Sequence, residues 1–177
     1  MMFYLKSNDD LLLDTIIYVL NQKNTIFTDI NEINSFATIS ISSNENTFLI
    51  ETGNEKISIT KPFVFTKLFE EISSILTKIE IYFDDLTYIP VKQILNYLNK
   101  SLVLGDIHNL IFSTLLLHLK SGVNKSLLYE MIWPNDKNFQ INKLDTHLTN
   151  LKNLIYEKLK YRINFKTIDG KIYLISN

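Results

Sequence analysis

From Gly122 to Ile175 the chain lays down a turn, a short helix, a longer helix and a tight hairpin, an order that few folds accommodate. The run Gly122-Val123-Asn124-Lys125-Ser126-Leu127-Leu128-Tyr129-Glu130-Met131-Ile132-Trp133 reads as a turn and a short helix. Asn124 is placed to cap it, because its side-chain oxygen can accept an orphan N–H of the first turn. Pro134 and Asn135 end it. A second helix is predicted over Asn142 to Lys160, where Leu144, Leu148, Leu151 and Ile155 form one apolar stripe at helical period. The chain then runs from Phe165 to Ile175 through Asp169-Gly170. Asp-Gly between two apolar runs is the strongest short hairpin signal.

Composition narrows what surrounds this pattern. The chain has 177 residues, of which 46% are hydrophobic, enough for one large or two small cored domains. It has no cysteine, which removes disulfides, thiolate metal sites and thiol catalysis. The start, Met1 to Asp10, lacks the basic and apolar regions of a signal peptide. The greasiest stretch, Leu110 to Leu119, is too short to span a bilayer. A cytoplasmic protein without membrane association is the expectation. Asn, Ile and Lys are abundant and Arg162 is the only arginine, a bias of AT-rich genomes.

The net charge of −1 conceals an asymmetry. Residues 1–89 hold 6 Lys against 13 Asp or Glu; residues 90–177 hold 12 Lys or Arg against 6 acids. An acidic half joined to a basic half points the second half at a polyanion. Uneven charge is also common on globular surfaces, since net charge speaks to association and not to fold.

The first half reads as strand (Phe3-Tyr4-Leu5), a helix from Asp9 or Asp10 to about Asn21, strands at Thr25–Phe27, Ala37–Ile41, Thr47–Ile50 and Lys56–Ile59, and a helix from Phe65 to Leu76. Polar clusters containing Asn31, Asn44 and Gly53-Asn54 separate the strands. From Ile79 to Leu104, short antiparallel strands are expected, with turns at Asp84-Asp85 and Asn99-Lys100 and an interruption at Pro90. Asp106 is expected to cap a helix over Ile107 to Lys120, closed by Gly122. The four glycines fall at turns or caps, leaving none for a phosphate-cradling loop. His108, His118 and His147 lack metal-ligand spacing. No nucleophile–base–orienter set is visible, so no catalytic residue, metal or cofactor is expected, and an enzyme is not the reading.

The stretch from about Ile79 to Ile175 resembles the effector domain of OmpR/PhoB-type response regulators. The residues that carry the resemblance are Val123 to Trp133, Leu144-Asp145-Thr146-His147-Leu148-Thr149-Asn150-Leu151-Lys152, and Lys166-Thr167-Ile168-Asp169-Gly170-Lys171-Ile172-Tyr173. The resemblance implies a winged helix-turn-helix with an N-terminal antiparallel sheet and a C-terminal hairpin wing, binding double-stranded DNA as a dimer. By the same alignment, Thr146 and Asn150 fall on base-facing positions, and Trp133, His147 and Lys152 on phosphate-facing ones. From the helical period alone, Asn142, Thr146, Thr149, Asn150 and Asn153 lie opposite the apolar stripe. Asn can pair bidentately with adenine, and Thr can bond a base edge or touch a thymine methyl. Asn150 and Asp169 stand where the family usually carries arginine, and Lys143, Lys166 and Lys171 are the available cations. A solvated helix face has the same Asn/Thr composition.

The first half resembles a receiver domain at its ends: Tyr4 to Leu12 with the following helix, and Ile57 to Phe63 with Lys61-Pro62. The acidic pair is shifted or replaced, at Ser7-Asn8 or Asp9-Asp10. Ile41-Ser42-Ser43-Asn44 offers no phosphoacceptor aspartate, and the segment is shorter than the family's receiver. Phosphoryl chemistry needs a carboxylate and a divalent cation. The fold class is therefore read as α+β: a small degenerate receiver-like α/β domain over 1–77 that dimerises, then the winged-helix domain over 78–177. An unrelated small α/β domain with an accidental Lys-Pro remains the other reading. Phe65, Leu68, Phe69, Ile72 and Leu76 form an apolar stripe, expected either as a homodimer interface or as core. Two functions follow: a phosphorylation-independent DNA-binding transcriptional regulator of AT-rich sites, or a winged helix that docks a protein such as RNA polymerase through the loop Pro134 to Ile141.

Overall fold

The computed structural model describes residues 3–22, 35–53, 55–136 and 140–176. The expected strand at Thr25–Phe27 and the polar positions Asn31 and Asn54 lie outside them. The chain divides into two compact units, Met1–Ile79 and Glu80–Asn177. Among the described residues no helix is long and apolar enough to cross a membrane.

The first unit runs β1 (Phe3–Ser7), α1 (Asp10–Gln22), β2 (Ala37–Ser43), β3 (Thr47–Glu51), β4 (Lys56–Thr60) and α2 (Phe65–Lys78). The Asp9 carboxylate starts α1 by accepting the Leu12 N–H at 3.0 Å. The four strands form one sheet in the order β1-β2-β3-β4. Among the described residues only β1 and β2 pair in parallel; β2–β3 and β3–β4 are antiparallel. A doubly wound receiver-type sheet runs in parallel, with crossovers between its strands. The described sheet departs from that pattern because β2 and β3 are only three residues apart in the chain and β3 and β4 only four, too few for a crossover helix.

The stripe on α2 needs a correction. Leu68, Phe69, Ile72 and Leu76 are each at most 9% exposed in the single chain. They are core, joined by Ile75, and only Phe65 of the five expected interface residues is exposed, at 41%. A small unit has little apolar surface to spare, so burial claims the stripe first.

The second unit opens with a four-stranded antiparallel meander: β5 (Ile81–Phe83), β6 (Leu86–Ile89), β7 (Ile94–Tyr97) and β8 (Lys100–Val103). A 3₁₀ turn at Pro90–Lys92 separates β6 from β7. The turn before β8 is Leu98-Asn99, one residue earlier than expected, and Lys100 pairs with Tyr97 inside the sheet. Next comes α3 (Asp106–Leu117), buried along 111–116. Asp106 is not its cap: Gly105 holds that position, and Asp106 accepts a hydrogen bond from the Gln93 amide at 3.0 Å. The helix ends at Leu117, short of the expected Lys120, and Gly122 lies beyond it with φ +64.

The remainder is β9 (Val123–Asn124), α4 (Lys125–Ile132), α5 (Ile141–Leu159), β10 (Ile163–Ile168) and β11 (Lys171–Ser176). Asn124 caps α4 as expected, accepting from the N–H groups of Ser126 at 2.9 Å and Leu127 at 3.3 Å; such a cap contributes about 1 kcal/mol. Leu144, Leu148, Leu151, Ile155 and Leu159 are buried along one side of α5. Asp169 and Gly170 form the hairpin turn with φ 49 and 74, the positive values that a two-residue hairpin loop demands. β9 adds to the hairpin as a third strand, Ile172 opposite Val123. The Tyr161 hydroxyl donates to the Asp84 carboxylate, tying the chain after α5 to the β5–β6 turn. Burial, followed by that hydrogen bond, pushes the phenol up to about 12.

Candidate nucleic-acid interface

α5 carries the polar face that the helical period predicts. Asn142, Thr146, Thr149, Asn150 and Asn153 are all exposed, opposite the buried leucines. The Thr146 hydroxyl donates back to the Asn142 carbonyl at 2.8 Å, which fixes its rotamer. No hydrogen bond holds the side chains of Thr149, Asn150 or Asn153 among the described residues, so their donors and acceptors face solvent. Helical geometry puts these five positions on one strip about 16 Å long.

The flank of α5 that faces α4 is occupied differently. Trp133, half-buried at the end of α4, packs at a tilt against Tyr129 and His147, with ring centroids 4.6 Å and 5.3 Å away. Lys143 lies 4.1 Å over the Trp133 ring and forms an ion pair with Asp136 at 3.1 Å. Asp136 also accepts the Tyr129 hydroxyl at 2.7 Å. Burial and that bond raise the Tyr129 pKa. Lys143 is thus engaged with its own protein, and Trp133 and His147 form part of a packed aromatic wall. His147 also meets His108 of α3, centroids 5.8 Å apart, and His108 Nε2 and His147 Nδ1 are buried without a hydrogen-bond partner among the described residues. Burial, then the charge of His147, lowers the His108 pKa.

The wing cations are separate from this wall. Lys166 on β10 and Lys171 on β11 are exposed. Among the described residues Lys171 reaches only the Ser121 carbonyl, at 3.5 Å. Asp169 at the tip is also exposed. Lys152 extends from α5 to the Asn164 side-chain oxygen at 3.2 Å. The structure therefore gathers Asn142, Thr146, Thr149, Asn150 and Asn153 on one strip, Trp133, Lys143 and His147 on its flank, and Lys152 toward the base of the hairpin.

The period did not disclose the supports behind this face. Lys125 forms an ion pair with Asp145 at 2.6 Å, joining α4 to α5, and the Lys125 N–H donates to the Gly170 carbonyl at 2.9 Å, joining α4 to the hairpin turn. Nor did it disclose Tyr156, Arg162 and Asn164, which line a cavity with Lys152, Asn153 and Ile163. The one available signal was Arg162, as the single arginine of the sequence. Among the described residues no cluster of three or more His, Asp or Glu side chains has the arrangement of a metal site.

No protein-family model and no curated protein matches the chain. Among solved structures, the chain is similar to the C-terminal domain of the nisin resistance regulator NsrR, a lantibiotic response regulator. The identity is 28%, over 53% of this chain and 95% of that one, with a TM-score of 0.41.

Proposed function

We propose that this protein is a DNA-binding transcriptional regulator that reads AT-rich duplex sites as a homodimer, without aspartyl phosphorylation. The observation that carries the reading is the exposed Asn/Thr strip of α5, backed by buried leucines and joined through α4 to a hairpin. Amide and hydroxyl side chains on a rigid helix are what direct readout of adenine and thymine edges requires, and Lys152, Lys166 and Lys171 supply cations for the backbone. A strip without arginine favours A·T over G·C, because bidentate Arg contacts mark guanine.

The independence from phosphorylation rests on the first unit. The Lys61 amine donates to the Ser43 hydroxyl at 2.8 Å and to the Asn44 carbonyl, both at the end of β2. The Asn44 side chain is itself held by the Thr47 N–H at 2.7 Å. The lysine thus neutralises no carboxylate there. Assembly is assigned to the same unit, through what α2 leaves exposed, Val64 and Phe65. The second reading, a winged helix docking a protein such as RNA polymerase, is favoured by the exposed Asp169 at the wing tip and by the engagement of Lys143 with Asp136. Residues 134–136 and 140 of the loop that would serve it are described; residues 137–139 lie outside the described set.

The test is selection of duplexes from a randomised pool by the full chain, followed by affinity across a salt series. An enriched A·T-containing motif with a negative log–log salt slope is expected. No enrichment at any salt would sink the reading and favour the docking alternative.

A further inference from the structure

Beyond the α5 strip, the second unit has a cavity of about 330 Å³ between the C-terminal half of α5 and the start of β10. It is lined by Lys152, Asn153, Tyr156, Arg162, Ile163 and Asn164. The Arg162 guanidinium lies 5.1 Å over the Tyr156 ring, and Lys160 lies 5.7 Å from the same ring. Among the described residues no carboxylate pairs with Lys152, Lys160 or Arg162. The Asn164 side-chain oxygen already accepts two bonds, from Lys152 Nζ and from the Phe165 N–H, each at 3.2 Å. That fixes the amide and leaves its NH₂ as a donor without a partner. The lining thus holds two cations, two amides and a phenol beside the apolar Ile163, and no carboxylate. By hydrogen bonding and by charge, the Arg162 guanidinium, with Lys160 adding, holds Tyr156 below its ordinary pKa.

We propose that this cavity is an oxyanion site that seats a phosphate, with Arg162 presenting its planar fork, Lys152 a point charge and Asn164 an amide donor. Guanidinium geometry matches two phosphate oxygens at once. The contact with Tyr156 pre-orients the fork, which reduces the entropy lost on binding. The C-terminal end of a helix repels anions, so the cations here work against the dipole of α5. Lys152 and Arg162 line the cavity without a carboxylate between them, and Lys160 lies beside it.

The phosphate can come from a duplex backbone or from solution. The backbone source rests on the function proposed above. From Asn150 to Tyr156 is six residues, about 9 Å along the axis, against a major-groove width of about 12 Å. A helix whose Thr146–Asn150 segment meets base edges therefore brings its 152–156 segment to the sugar–phosphate rim.

The experiment has two arms, both on the full chain. In the first, the side-chain resonances of Arg162 and Asn164 are followed by NMR during titration with inorganic phosphate, with chloride at matched ionic strength as control. Saturable shifts centred on these residues, lost in Arg162→Gln, are expected. In the second, duplex affinity is measured across salt for the parent, Arg162→Gln and Lys152→Gln. Arg162→Gln is expected to weaken all fragments alike and to reduce the log–log slope by about one unit. Phosphate shifts with an unchanged slope, or with no duplex binding by the parent, would assign the site to free phosphate and overturn the backbone source. No phosphate shifts and an unchanged slope in two folded variants would overturn the site itself, whether or not the Asn/Thr strip binds DNA.

Discussion

Gly122 lies against the ring of Tyr173: a Cβ at Gly122 would stand 2.6 Å from Tyr173 Cζ. The same residue has φ +64. Gly122→Ala therefore meets two penalties, a left-handed backbone, at about 1–2 kcal/mol, and displacement of a half-buried ring of β11. A loss of about 2–3 kcal/mol in urea unfolding is expected. In the double variant with Tyr173→Ala, the loss should fall short of the sum of the single effects. Strict additivity would refute the contact.

Variants at Asn150 and Lys152 test the proposed division between base reading and backbone attraction. Asn150→Ala should cost about 1–3 kcal/mol at one adenine position and relax preference there. Lys152→Ala should weaken every sequence alike and lower the salt slope by roughly one unit. Competition binding with single-base variants of the selected site distinguishes the two. If both variants bind every fragment as the parent does, α5 is not in a groove.

The first unit yields a contrast between Leu68 and Phe65. Leu68 is fully buried, so Leu68→Glu places a charge in the core and should unfold the unit rather than dissociate a dimer. Phe65→Glu acts at an exposed position and should leave the fold intact while shifting sedimentation from dimer to monomer. A parent protein that sediments as a monomer at micromolar concentration would remove the proposed assembly.

Acetyl phosphate with magnesium should leave mass and duplex affinity unchanged, because Lys61 bonds the neutral oxygens of Ser43 and Asn44 at the end of β2. A stoichiometric, acid-labile gain of one phosphate is the contrary result.

His108 and His118 should make stability depend on pH. Burial lowers both pKa values, and for His108 the charge of His147 adds to it. The unfolded chain takes up protons near 6.5, whereas the folded chain takes them up only at lower pH. The unfolded state then binds more protons, so stability is complete above 6.5 and falls as pH drops from there toward the lowered values. Thermal melting should show a declining Tm between pH 7 and 6, with a shallower decline in His108→Gln. An equal slope in the variant would remove His108 as a source.

Local signals in the sequence carried much of this structure. The Asp169-Gly170 turn, the Asn124 cap and the α5 stripe each depend on residues a few positions apart, so their chemistry is visible in the string. Features set by distant partners were not visible. β9 is two residues long and exists as a strand only because Ile172 and Lys171 pair with it. The turn before β8 falls on Leu98, at φ 51, because the meander sets Leu95 opposite Leu102, both buried, and that register leaves Leu98-Asn99 as the loop. Burial of two leucines outweighed the cost of one in a left-handed turn. The α2 stripe was legible as apolar, but its burial depends on how little other apolar surface a small unit has. Of the candidate face, the strip was legible from its period. The cavity was not, because its walls come from two elements joined by a left-handed residue, Lys160.

The hydrogen bond from Lys125 to Gly170 and the ion pair from Lys125 to Asp145 make one residue the hinge-pin of a caliper. One jaw is the hairpin and the other is α5, and Lys125 is bonded to both. A duplex gripped by such jaws would have to bring its groove spacing to the protein. The elastic cost of doing so varies with base sequence, so selected sites should show preferences at base pairs that no side chain touches, lying between the two jaws.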